Sequence, residues 1–250
     1  AGPDVSVCNV DTTITFEGFS PIDGQWSNPE IDQNSIDVSG FDPGVYQYTY
    51  EYSEGTCYTE DFLLLEIYER PNIYWNGPSE LCIFEEGYFD ITIDGGSPPY
   101  NVDWVTTVDQ VAVDGLSATN AWNISGVQTI IITISDSNDC QNELEVDIMI
   151  NPLPNVFAGQ DTTFCNQNII GFIEGFSPGL NENGSGYFYG IGEAENAVSN
   201  TGEFDPTISG SGFFEVVYSF TNSTTNCTNT DTLQISVIDL VEANAGPDTT

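Results

Sequence analysis

The sequence predicts an all-β protein, a tandem array of Ig-like β-sandwich modules, and three observations lead there. Tyr46, Tyr48, Tyr50 and Tyr52 alternate with Gln47, Thr49 and Glu51, a strict period of two that belongs to a half-buried strand. One short motif recurs down the chain at domain-sized intervals. Aromatic residues reach 12%, in segments of 4–8 residues bounded by Gly, Asn, Asp and Pro, and no window carries a convincing helical period.

The recurring motif defines the modules. Ala1-Gly2-Pro3-Asp4 leads to Cys8, Asn76-Gly77-Pro78-Ser79 to Cys82, and Ala158-Gly159-Gln160-Asp161 to Cys165. Ala245-Gly246-Pro247-Asp248 begins the pattern a fourth time, and a longer parent protein is expected from it. The expected boundaries are 1–71, 72–154 and 155–241, with 242–250 opening a fourth module. Within the first module the tyrosine strand is followed by Phe62 to Ile67. The second supplies Thr129 to Ser135 and Leu144 to Ile150, and the third Phe213 to Phe220 and Thr232 to Ile238. Modules one and three share Glu-Gly-Phe-Ser-Pro (Glu17 to Pro21; Glu174 to Pro178) and Phe-Asp-Pro (Phe41 to Pro43; Phe204 to Pro206). Module two is a second subtype. The joints Glu69-Arg70-Pro71-Asn72 and Asn151-Pro152-Leu153-Pro154 carry stiffening prolines.

Composition excludes much chemistry. Against 39 acidic residues stands one cation, Arg70, for a net charge of −38, and the chain has neither His nor Lys. Nucleophilic sites that need an imidazole, Schiff bases and P-loops are thereby ruled out. A surface this negative repels nucleic acid and anionic membranes, and no apolar run is long enough for membrane insertion. With so many carboxylates, a pair at glycosidase spacing arises by chance, so the expectation is that the protein is not an enzyme.

The six cysteines are Cys8, Cys57, Cys82, Cys140, Cys165 and Cys227. Their even number and wide spacing suit disulfides in an oxidising, extracytoplasmic setting, and buried reduced thiols are the alternative. Six cysteines allow 15 connectivities. The repeat favours sequential pairing, one bond per module: Cys8–Cys57, Cys82–Cys140 and Cys165–Cys227.

Module two carries a family resemblance. Gly95-Gly96-Ser97-Pro98-Pro99-Tyr100, Trp104, Gly115-Leu116 and Asp136-Ser137-Asn138-Asp139-Cys140 resemble the SprB-type repeats of large Bacteroidota surface adhesins. Asp139 stands where that pattern has Gly, and Val127-Gln128 where it has Gly-Tyr. Modules one and three resemble the companion Ig-like (PKD-like) repeats, with Gly24-Gln25-Trp26 and the Phe-Asp-Pro segments; Trp26 has no evident counterpart in module three, where Gly186-Tyr187-Phe188 falls. The resemblance implies type IX secretion, a part in gliding motility or adhesion, and display on the cell surface or in an extracellular filament.

Three kinds of site are expected. Hard oxygen ligands for Ca2+ are available in Asp4, Asp11, Asp136, Asn138, Asp139, Asp161, Asp239 and Asp248, clustered at loops and joints. A solvated acidic coat is the alternative. Thr12, Thr162 and Thr232 follow aspartates in tripeptides that resemble Bacteroidota O-glycosylation acceptors. Trp26, Trp75, Trp104 and Trp122 could stack on sugars or fill cores. The expected role is a non-enzymatic structural or adhesive region of a long surface adhesin or filament. Its partners would be neighbouring modules and surface polysaccharide. The alternative is a carbohydrate-binding or accessory region of a secreted polysaccharide-degrading protein. Ordinary short joints favour one long polypeptide over a non-covalent polymer.

Overall fold

A computed structural model describes all residues except 11, 107–111, 242–245 and 247–250. Strands dominate. In chain order they are β1 (Val5–Cys8), β2 (Thr13–Thr15), β3 (Gln25–Trp26), β4 (Ser35–Asp37), β5 (Gly44–Glu54), β6 (Cys57–Tyr68) and β7 (Asn72–Asn76). Then come β8 (Glu80–Cys82), β9 (Gly87–Asp94), β10 (Asn101–Thr106), β11 (Ala112–Asp114), β12 (Ser117–Asn120), β13 (Gly126–Ser135) and β14 (Gln141–Asn151). The last are β15 (Thr162–Asn166), β16 (Gly171–Phe172), β17 (Gly184–Gly190), β18 (Glu203–Phe204), β19 (Gly212–Asn222) and β20 (Thr228–Asp239). All six strands expected from sequence are present, each a few residues longer. Among the described residues helix is confined to one turn, α1 (Pro206–Ser209), and a 3-10 turn at Gly192–Ala194.

Backbone contacts group the chain into two compact units. The first comprises 1–79, 86–120 and 128–148; the second comprises 80–85, 121–127 and 149–250.

In the first unit, β5 and β6 form a long hairpin closed by Gly55-Thr56, with Glu54 opposite Cys57 and Gly44 opposite Ile67. Strand β3 pairs with β5, and β1 lies parallel on the other edge of β6. Strands β2 and β4 form a separate two-stranded sheet. Sheet order β1-β6-β5-β3 facing a second small sheet is the Ig-like arrangement. Period-two burial follows the alternation: Tyr48, Tyr50, Leu63, Leu65 and Ile67 point inward with Phe16, Ile36 and Val38. The same unit holds the sheet β11-β12-β9-β7 and the antiparallel pair β10–β13. Its core is built from Phe89, Ile91, Trp104, Ala118, Ile130, Ile132, Ile134 and Ile148.

In the second unit, β19 and β20 repeat the long hairpin, β17 pairs with β19, and β15 runs parallel to β20. The order β15-β20-β19-β17 is the first sheet again. Its core gathers Phe188, Phe204, Phe214, Val216, Tyr218, Phe220, Leu233, Ile235 and Val237. Strand β8 lies parallel to the last residues of β14, with Cys82 opposite Asn151.

The shared motifs of the first and last repeats have one structural meaning. Gly2 and Gly159 take φ of +103° and +105°, and a Cβ there would lie 2.3 and 2.7 Å from the carbonyl oxygens of Glu17 and Glu174. The opening motif is therefore packed against the Glu-Gly-Phe-Ser-Pro segment, at a backbone conformation that glycine adopts without penalty. That segment is held in turn by tyrosine hydroxyls, Tyr50 donating to Pro21 O at 2.6 Å and Tyr218 to Pro178 O at 2.7 Å. The Phe-Asp-Pro segments diverge. Asp205 caps α1 by accepting from Thr207 N at 2.9 Å, whereas Phe41-Asp42-Pro43 runs straight into β5.

Trp26 does have a counterpart. Trp26 stands opposite Tyr50, and Phe188 stands opposite Tyr218, the matching tyrosine. Both rings pack on that tyrosine, with centroids 5.0 and 4.5 Å apart, Trp26 tilted at 59° and Phe188 stacked at 29°. The shared pattern is Gly-x-aromatic rather than Gly-x-Trp.

Candidate functional site: the stapled joints

The disulfides correct the sequential expectation. Cys8 bonds Cys140 and Cys82 bonds Cys227, with Cα–Cα distances of 5.5 and 5.6 Å. Cys57 and Cys165 are free and exposed. Neither bond closes a single repeat. Each ties the first cysteine of one repeat to the second cysteine of the next.

Strand register supplies the reason. Cys8 sits opposite Tyr68, which is eleven positions after Cys57 along β6. Cys82 sits opposite Asn151, eleven positions after Cys140, and Cys165 opposite Ile238, eleven positions after Cys227. Eleven residues of strand span about 36 Å. A disulfide requires Cα atoms within about 7 Å, so the two cysteines of one repeat, at opposite ends of a strand pair, cannot meet.

Each joint has more than a disulfide. In the first unit the side chain of Asn142 donates to Pro71 O at 2.8 Å, and Arg70 Nε donates to Gln141 O at 2.8 Å. The chain's single side-chain cation thus binds the Gln141 carbonyl and the Asn142 side chain beside the staple, and among the described residues it forms no salt bridge. In the second unit Asn229 donates to Pro154 O at 2.9 Å. Asn142 and Asn229 each lie two residues after a bonded cysteine, so both linkers are gripped at a proline carbonyl by the same device.

Asp136 organises the first joint. Its carboxylate accepts from Ser97 N, Asn138 N and Cys140 N, each at 2.9 Å. Burial pushes its pKa up, but the bonds from Ser97, Cys140 and Asn138 outweigh that, and the carboxyl titrates below the usual range. Asn138 donates to Ser97 Oγ, and Asp139 takes φ +60°, a conformation glycine adopts more readily. A Cβ at Gly96 would lie 3.1 Å from both Pro71 N and the Asp136 carboxylate. Gly-Gly-Ser-Pro-Pro-Tyr and Asp-Ser-Asn-Asp-Cys thus form the seat for the linker.

The other expected ligands are likewise committed to hydrogen bonds. Asp4 accepts from Leu64 N at 2.9 Å and Asp161 from Gln234 N at 2.8 Å, pinning the starts of β1 and β15 to their neighbouring strands. Asp239 accepts from Asn166 Nδ2 at 2.8 Å; that bond and one to Ser211 lower its pKa. Among the described residues no three His, Cys, Asp or Glu side chains gather into one group. Asp11 and Asp248 lie outside the described residues.

Aspartates four residues after Cys57 and Cys227 went unnoticed in the sequence. Asp61 accepts from the Ala1 amine at 2.6 Å and Asp231 from Ala158 N at 2.9 Å, fixing the alanine of the opening motif in both outer repeats. The equal spacing from the second cysteine was the signal for them. Of the expected glycan acceptors, Thr232 is exposed on β20, while Thr12 and Thr162 are half-buried.

The tryptophans pack on other aromatic rings or in the cores. Trp104 and Trp122 are 6% and 2% exposed, Trp26 packs on Phe16, Phe19 and Tyr50, and Trp75 stacks on Phe89. Trp26 and Trp75 remain half-buried.

No known family's sequence profile matches the chain, and no curated protein matches it. Solved structures similar to it include Ig-domain arrays. The I-band fragment I67–I69 of titin is 14% identical with a TM-score of 0.43, and the match covers 96% of each chain. The N-terminal eight Ig domains of the Down syndrome cell adhesion molecule are 12% identical with a TM-score of 0.43. That match covers 94% of this chain, which spans 36% of the longer one. Immunoglobulin domains 1–5 of Sidekick-1 are 13% identical with a TM-score of 0.35, covering 96% of this chain and 58% of the other.

Proposed function

We propose that this chain is a non-enzymatic, extracellular structural or adhesive stretch of a bacterial surface adhesin or filament. The observation that supports it most is the placement of the disulfides between successive repeats. A disulfide within a domain protects that domain; one across a joint holds two domains in line against tension. Covalent staples also require an oxidising compartment, which fits export. The acidic surface keeps such an array soluble and discourages lateral association. The resemblance of residues 82–140 to SprB-type repeats supports a Bacteroidota source, type IX secretion and service in adhesion or gliding. Neighbouring repeats are the principal partners, and a surface polysaccharide is the ligand class for the adhesive role.

The deciding experiment is fractionation of the native cells with surface labelling, together with non-reducing peptide mapping of the recovered protein. Surface-exposed material containing Cys8–Cys140 and Cys82–Cys227 peptides is expected. Cytoplasmic protein with six free thiols would sink the proposal. The rival reading, a carbohydrate-binding accessory region, would require tight binding to a glycan by the isolated chain, with the half-buried Trp26 and Trp75 as the rings to test.

A further inference from the structure

Two staples are closed and two half-staples remain. In each closed bond one partner ends the strand that runs parallel to the last strand of its sheet, as Cys8 and Cys82 do. The other partner sits at the hairpin before that last strand. Asp136 N donates to Cys140 O and Asn222 N to Cys227 O across those hairpins. The free cysteines occupy these same two positions, one of each kind. Cys165 stands opposite Ile238 on β15, as Cys8 stands opposite Tyr68 on β1. Cys57 stands opposite Glu54 at the β5–β6 hairpin. The bonded hairpin cysteines are fully buried, both 0% exposed, whereas Cys57 and Cys165 are exposed.

The two free cysteines are therefore complementary to each other in kind: Cys165 is a first-type half of the staple and Cys57 a second-type half. Thr59, two residues after Cys57, offers a hydroxyl where Asn142 and Asn229 grip their linkers.

We propose that Cys165 of one copy of this chain bonds Cys57 of a second copy, so that copies join head to tail through the same staple that joins their internal repeats. The contact is heterologous, and an open fibre results wherever the rotation between copies does not close a ring. The chemistry is thiol–disulfide exchange. The thiolate of one cysteine attacks an external disulfide, supplied by a disulfide oxidoreductase or oxidised glutathione, and one thiol leaves. The second cysteine then attacks the mixed disulfide and expels the other thiol. One S–S bond forms, one breaks, and two electrons and two protons end on the reduced donor.

The proposal rests on the reading of the chain as a stapled array, and one experiment separates the two. The purified chain, with its internal disulfides verified by mass mapping, is incubated with oxidised glutathione and run on a non-reducing gel. The expected result is a ladder at multiples of 27.2 kDa in which Cys57–Cys165 is the intermolecular peptide pair. C57S and C165S alone should each remain monomeric, and an equimolar mixture of the two should stop at dimer. Both side chains are exposed, so the substitutions leave the cores untouched. Persistence as monomer, or Cys57–Cys57 and Cys165–Cys165 pairs as abundant as the mixed pair, overturns head-to-tail joining while the array stands. Absence of Cys8–Cys140 and Cys82–Cys227 from the map overturns both.

Discussion

The outer repeats and the middle repeat solve one problem with different chemistry. All three must hold a Ser-Pro loop. In the outer repeats a buried tyrosine hydroxyl donates to the proline carbonyl, from Tyr50 to Pro21 and from Tyr218 to Pro178. In the middle repeat a buried carboxylate accepts instead, Asp136 binding Ser97 N while also gathering Asn138 N and Cys140 N. The locks are exchangeable, but the cysteine register is not: the eleven-residue offset is the same in all three. The position of the staple is thus the fixed requirement, and each repeat's interior is one of several ways to meet it.

Reduction should test the shared feature and have the largest effect. The disulfides span separations of 132 and 145 residues, and closing a loop that long is worth about 5 kcal/mol in the chain-entropy model. Urea unfolding with and without reductant should show a loss of that order. An unchanged midpoint would mean that the staples carry no load in the folded array.

Asp136→Ala should separate the two kinds of repeat next. Three N–H groups lose a charged acceptor at once, for an expected loss of about 3 kcal/mol. The outer hairpins should be unaffected, as hydrogen exchange at Phe220 and Leu63 would report. Acid gives the same answer without mutation. A carboxyl whose folded pKa is depressed adds stability above its unfolded pKa of about 3.9, and that stability is lost as pH falls through the folded value. The hairpin at Cys140 should therefore loosen below about pH 4 in wild type but show no such acid transition in the variant.

Gly24→Ala and Gly186→Ala probe what the outer repeats share. A Cβ at Gly24 would lie 2.6 Å from the Tyr50 ring, and one at Gly186 would lie 2.0 Å from the Tyr218 hydroxyl. Each should cost about 2 kcal/mol through overpacking. A tolerated Gly186→Ala would show that Phe188 and Trp26 are not equivalent after all. The smallest effect is expected from Tyr218→Phe, about 1 kcal/mol for one hydrogen bond, and Tyr50→Phe should match it. A markedly larger loss at one site would break the equivalence of the outer repeats.

Fold class was legible because period-two alternation, as in Tyr46 to Tyr52, directly reflects one buried sheet face. The repeats were legible because glycine at a positive φ and a close approach, as at Gly2 and Gly159, admits no substitute. Disulfide pairing was not legible, because sequence distance says nothing about which end of a strand a residue occupies. Only the register, Cys8 beside Tyr68 rather than Cys57, decides it. The hydrogen bonds of Asp4 and Asp161 were hidden for a similar reason. A carboxylate that accepts a backbone N–H from the neighbouring strand has the same local sequence as one that binds a metal.

The crossed pairing gives the chain two covalent rails. One rail runs along Ala1–Cys8, crosses sulfur to Cys140, follows β14 to Asn151 and continues through the linker to Ala158–Cys165. The other follows β6 from Cys57 to Tyr68, passes through the linker to Cys82, crosses to Cys227 and follows β20. Residues 83–139 also join the two bonds, and they are the shortest of the three segments that do. Stretching the oxidised protein therefore ends when that segment is taut, at about 200 Å of extended chain between the bonds. Residues 9–81 and 141–226 stay slack until reductant opens a bond, so the middle repeat sets the reach of the whole. Single-molecule extension before and after reductant measures the difference directly, and the hidden length is its unit of account.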